Sequence, residues 1–159
     1  MRFPLAALFA ILALPAAAAT DTWTAEMQMD EGGEVMVAYV DGAGNDGDVP
    51  QPVIRMMCFD QLMLRYEVGV MSDDHYRQAG DETDLTFKTD KGEAVVHVVL
   101  EDMDGAFAAY FGKDDPVIGL LRGGSTLEVS APKLTEYPTR TYTLNGAGAA
   151  LDTLFTGCF

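Results

Sequence analysis

Gln61-Leu62-Met63-Leu64-Arg65-Tyr66-Glu67-Val68-Gly69-Val70 is the stretch that decides the fold. Leu62, Leu64, Tyr66, Val68 and Val70 share one parity, while Gln61, Arg65 and Glu67 share the other. Period-2 alternation of this kind is the mark of a half-buried β-strand. The same pattern recurs on both sides. Upstream, Glu34 to Asp41 is rich in Val, Met and Tyr, and Val53 to Cys58 follows after a loop. Downstream, Leu85 and Phe87 alternate with Thr86 and Lys88, and Asp90-Lys91-Gly92 offers a hairpin turn with a glycine for positive φ. Ala94 to Leu100 is apolar on both parities except at His97, which predicts a strand covered on both faces with a hydrogen-bonded core histidine. Leu127, Val129 and Ala131 alternate with Thr126, Glu128 and Ser130, and Thr139 to Leu144 has the Thr and Tyr content of extended structure.

Two short helices punctuate the strands. Asp115 suits an N-cap and Pro116 the first helical position; Val117, Ile118 and Leu121 form the stripe, and Gly123-Gly124 stops it. Ala147, Ala150, Leu151, Leu154, Phe155 and Cys158 recur at helical spacing on one face, with Asn145 as the expected cap. The fold expected is therefore mainly β, an antiparallel sandwich or curled sheet with two short helices.

Cys58 and Cys158 are the only cysteines. Cys58 closes a strand and Cys158 ends the apolar face of the last helix, so one bridge stapling the two is expected. The start of the chain points to an oxidising compartment. Met1-Arg2, the apolar run Phe3 to Leu14, Pro15 and then Ala17-Ala18-Ala19 read as a signal peptide of residues 1–19, cleaved before Thr20. The apolar run is much shorter than the roughly 20 residues of a membrane span, so no stable membrane insertion is expected. The remaining residues, 20–159, form a single exported domain, periplasmic or secreted.

The net charge is -15, and becomes -16 once Arg2 leaves with the leader. A surface this acidic repels nucleic acid and anionic lipid, which require clustered Lys and Arg. Catalytic readings fail residue by residue. Serine occurs only at Ser72, Ser125 and Ser130, none inside Gly-x-Ser-x-Gly. His75 lies in the polar run Ser72-Asp73-Asp74 and reads as a solvated loop residue. The carboxylates are numerous and scattered, with no glycosidase-like pair among them. No catalytic residue and no cofactor are assigned.

Gly42-Ala43-Gly44-Asn45-Asp46-Gly47 has the glycine spacing of a dinucleotide loop, but Asp48-Val49-Pro50-Gln51-Pro52 forbids the helix that must follow. The EF-hand register does not fit either. Asp41, Asp46 and Asp48 are instead read as an acidic loop that could face a partner. The eight methionines beyond Met1 are read first as core packing, with soft-metal (copper) binding as an alternative.

The second half carries an ordered set of motifs. From Cys58 it passes the Asp90-Lys91-Gly92 hairpin to Gly105-Ala106-Phe107-Ala108-Ala109-Tyr110, then Pro116 to Leu121 and Leu127-Glu128-Val129. It closes with Thr141-Tyr142-Thr143-Leu144-Asn145-Gly146, Ala150-Leu151-Asp152-Thr153-Leu154 and Cys158. This layout resembles the periplasmic VasI/TagO type of type VI secretion accessory protein of Gram-negative bacteria and, less closely, the invasion-associated locus B family. Tyr142 stands where the first family commonly has Phe, and the loop from Asp41 to Pro52 has no counterpart there. The resemblance implies a non-enzymatic accessory or binding protein acting through a protein partner or cell-envelope component. An inhibitor of an exported hydrolase such as a lysozyme, suited electrostatically to a basic enzyme, is the competing class.

Overall fold

The computed structural model describes residues 22–30, 32–40, 53–59, 61–67, 79–101, 105–134, 137 and 139–158. Among these residues nine strands make one antiparallel sheet: β1 (Thr24–Asp30), β2 (Gly33–Val40), β3 (Val53–Cys58), β4 (Leu62–Glu67), β5 (Glu82–Thr89), β6 (Gly92–Glu101), β7 (Ala106–Phe111), β8 (Thr126–Ser130) and β9 (Arg140–Thr143). The first four form a meander. The order then runs β4-β7-β6-β5-β8-β9, so the link from β4 to β5 passes two strand positions and the β5–β6–β7 meander returns to them. Of the two expected architectures, this is the curled sheet. The strands at its two ends approach each other without closing a barrel. The Trp23 N–H donates to the Asn145 carbonyl at 3.0 Å, joining the entry to β1 to the residues that leave β9.

Two helices lie inside the curl. In α1 (Pro116–Gly123) the Asp115 carboxylate accepts from the Val117 N–H at 3.0 Å, Pro116 opens the first turn, and Val117, Ile118 and Leu121 are buried, as the sequence predicts. In α2 (Ala147–Cys158) the buried face is Ala147, Ala150, Leu151 and Leu154. α1 packs on β5, β6 and α2, whereas α2 packs on β1, β2 and β3. Arg122 ties the helices together, with Nη1 2.6 Å from Asp152 Oδ1 and its guanidinium 5.0 Å from the Phe155 ring centre. Cys58 and Cys158 are bonded, their Cα atoms 5.6 Å apart.

The expected cap of α2 is replaced. Asn145 donates its side-chain amide to Thr22 Oγ1, and the Gly146 carbonyl accepts the Ala150 N–H at 2.9 Å. Gly146 has φ +80°, and a Cβ there would lie 3.0 Å from the Trp23 carbonyl oxygen, so glycine is needed where the two ends of the sheet meet.

The inner faces of the strands form the main core with these helices, built around Ile54, Met56, Leu64, Phe87, Phe107 and Leu127. The curl also brings distant strands together. Tyr66 of β4 is hydrogen-bonded to Tyr142 of β9 beside Arg140, and burial pushes the Tyr66 phenol up. Tyr137 meets the Phe107 ring edge-on at 5.7 Å.

β6 departs from expectation. Val96, Val98 and Leu100 point inward, but Val95, His97 and Val99 face outward and are exposed. The described helices cover one face of the sheet only, and an antiparallel sheet tolerates water on the other. His97 is therefore a surface residue, held between Glu82 at 3.5 Å and Asp84 at 3.2 Å. β4 departs in the opposite sense. Leu62 to Tyr66 are all buried, because Met63 and Arg65 on its outer face are covered as well.

Candidate functional site

The outer face of β1 to β4, with the adjoining β7, has a small apolar floor of its own. Val35, Val37, Met57, Met63 and Ala108 are buried there, with Tyr39 packed against them. Met57 and Met63 are cross-strand partners. Above the floor runs a polar chain that crosses the sheet. The Tyr39 hydroxyl and the Gln28 amide both donate to Glu26 Oε1, at 3.1 and 3.0 Å, and Arg55 Nη1 approaches Gln28 Oε1 at 3.4 Å. Arg55 Nε lies 3.3 Å from Glu67 Oε1, and Arg65 Nη1 lies 3.8 Å from the same atom. Arg65 Nε reaches Glu101 Oε2 at 3.2 Å.

Register explains this chain. Arg55 and Arg65 sit directly opposite each other, a pairing of like charges that costs stability unless it is neutralised. Glu67 stands two residues along β4 and bridges both guanidiniums. Arg65 faces Ala108 on β7, and Ala106, next but one, faces both Glu67 and Glu101. The small side chains of Ala106 and Ala108 let the Arg65 guanidinium lie across β7 to a carboxylate on β6. Arg65 is only 7% exposed, so its charge requires this pairing. The two Nε atoms approach their carboxylates off the hydrogen-bond direction, which makes these contacts chiefly ionic. Between β1 and this chain lies an open pocket of about 380 Å³, with Gln28, Asp30, Arg55, Arg65 and Glu67 around Val35 and Met57.

The middle of the same face is different. Val95 is 67% exposed and Tyr110 62%, with Val99 at 37% beside Ala108. Around them stand Glu82, Asp84 and Glu101. Asp84 also accepts from Lys133, and the Lys133 and His97 hydrogen bonds hold its carboxyl below the usual carboxylate range. The outer face thus presents exposed apolar side chains beside carboxylates that pair with His97, Lys133 and Arg65.

Of the residues singled out in the sequence, Cys58 and Cys158 are brought together by the fold. Asp41, Asp46, Asp48 and His75, together with the leader 1–19, lie outside the described residues. Methionines are spread over both faces: Met57 meets Met63 outside, while Met27 is the cross-strand partner of Met36 inside. Among the described residues, no three His, Cys, Asp or Glu side chains are placed to hold a metal ion, and no helix is long and apolar enough to cross a membrane. Sequence reading missed the chain of Arg55, Glu67, Arg65 and Glu101. Its one visible signal is an arginine on the polar parity of each of two successive strands.

No protein-family model, curated protein or solved structure matches this chain. Function therefore rests on the chemistry of the open face.

Proposed function

We propose that this is a non-enzymatic exported binding protein, a periplasmic accessory of the kind its motifs resemble, which seats a protein partner on the open face of its sheet. The observation that carries this reading is the trio Val95, Val99 and Tyr110, solvent-facing in adjacent strands, with Glu82 opposite Val99 and Glu101 two residues along β6. Apolar anchors in a charged surround are the usual make-up of a protein-binding patch, with aromatic residues supplying much of the energy. The net charge of -15 favours a partner whose contact surface is basic. The single long-range disulfide is compatible with an oxidising compartment.

Affinity capture from native cell envelope at low salt tests the reading. Wild-type protein should enrich one or a few proteins, and a Val95→Glu/Tyr110→Glu double variant with an unchanged thermal midpoint should lose them. Raising salt should slow association more than it speeds dissociation. Equal capture by the double variant would remove the open face from the mechanism. Substrate turnover by the purified protein would overturn the non-enzymatic reading.

A further inference from the structure

β1 is an edge of the sheet, and its outward side is unusually well defined. Asp30 and Gly33 are cross-strand partners joined by only residues 31 and 32. In a hairpin this short the flanking pair exchanges hydrogen bonds, and the exchange alternates along the ladder. The even-numbered residues of β1 therefore bond to β2, and the odd-numbered ones turn their N–H and C=O outward. Trp23, the next odd residue, confirms the phase: its N–H leaves the sheet and bonds to Asn145. Among the described residues no backbone group meets the outward side of Ala25, Met27 or Met29. Met27 is 51% exposed and Met29 77%. A free edge with exposed methionines is a template for another strand.

We propose that the occupant is β1 of a second copy of this chain, paired antiparallel about a two-fold axis through Met27. Three registers pair at least two of the outward residues Ala25, Met27 and Met29 of each copy with outward residues of the other. Centring on Glu26 sets Glu26 against Glu26, and centring on Gln28 sets Glu26 against Asp30 twice. Centring on Met27 sets Met27 against Met27, Ala25 against Met29, Glu26 against Gln28 and Thr24 against Asp30. No like charges oppose one another, and all three outward residues of each copy find partners. This register also ends where the fold requires. Trp23 would meet residue 31, beyond the strand, so its bond to Asn145 is undisturbed.

The helices fit as well. β2, which carries α2, would lie three strand spacings from its counterpart, about 14 Å. Two helices about 10–12 Å across can sit side by side at that distance. The exposed inner-face methionines of both copies then cover each other. Against this works the net charge of -15 on each copy, so association should tighten as salt rises.

Analytical ultracentrifugation of the purified, oxidised protein over a concentration and salt series tests the proposal. A monomer–dimer equilibrium that tightens with salt is expected. Met27→Pro removes an N–H that β2 does not use, so the melting curve should stay close to wild type while the dimer dissociation constant rises by about tenfold or more. Met27→Cys should form a disulfide-linked dimer, since the facing Cα atoms would be about 5.5 Å apart. Met29→Cys should not, because its two copies would be more than about 13 Å apart. A monomer at every concentration and salt would overturn the proposal. So would a dimer indifferent to Met27→Pro, equal cross-linking at both positions, or an edge filled by a strand of a different protein.

Discussion

The indole Nε1–H of Trp23 donates to the Thr143 carbonyl at 3.1 Å, joining residues 120 positions apart in the chain. Trp23 enters the first strand of the sheet and Thr143 ends the last, so this bond and the adjacent one to Asn145 hold the curl. Trp23 is 3% exposed and is the only tryptophan. Its emission therefore reports the meeting of the two sheet ends. Trp23→Phe should cost roughly 1–3 kcal/mol, from a lost hydrogen bond and an underfilled site. Denaturant titration of wild type by tryptophan emission, and of both proteins by circular dichroism, measures it.

Removing the staple should be expensive. Cys58→Ser or Cys158→Ser opens a loop of 100 residues. Loss of a native disulfide from a small secreted domain costs about 2–5 kcal/mol, and a loop this long stands toward the upper end. Urea unfolding of each variant, beside wild type with and without reductant, should give the same loss by either route.

The Tyr66 phenol sets an alkaline limit. Its folded pKa is raised, first by burial, so its contribution to stability is complete below the unfolded value of about 10 and is lost as pH rises through and beyond it. Tyr66→Phe removes the ionisation together with the Tyr142 hydrogen bond. The variant should be less stable near neutrality yet lose less stability between pH 9 and 11, read by thermal melts across about those values.

At the acid end, Asp90 accepts from the Ser125 N–H at 2.7 Å and from the Ser125 hydroxyl at 3.2 Å, tying the β5–β6 turn to the start of β8. The Ser125 N–H is the main reason its carboxyl is held down. A depressed folded pKa contributes stability above the unfolded value of about 3.9, which is lost as pH falls through the folded one. Asp90→Asn should lower the melting temperature at pH 7 and flatten its decline below about pH 4.

Where neighbours in sequence became neighbours in space, the chain was readable. The alternation at Leu62, Leu64 and Tyr66, the hairpin at Asp90-Lys91-Gly92, the Asp115 cap and the helical stripe ending at Cys158 all appear in the fold. β1 escaped notice because an edge strand needs no strong core parity; Met27 and Met29 lie on its inner face and are still exposed. β7 escaped because Ala106, Ala108 and Ala109 give little strand signal, although small side chains are what Arg65 needs to cross it. The open-face chain was hidden for a topological reason. Arg65 meets Glu101 only because β7 inserts beside β4, an adjacency that local pattern does not reveal. The sequence points His97 inward because an apolar strand looks alike whether water touches one face or none.

The bond between Cys58 and Cys158 also records that the chain has been made from the one residue through to the other. Its second sulfur belongs to the last turn of α2, which follows all nine described strands. A chain interrupted anywhere between the two positions carries one thiol with no partner, while in the folded protein both cysteines are joined. A single thiol-reactive reagent therefore separates chains that stop between Cys58 and Cys158 from those that include both, and an oxidant has one sulfur pair in this sequence to join, with no wrong pairing between them to undo.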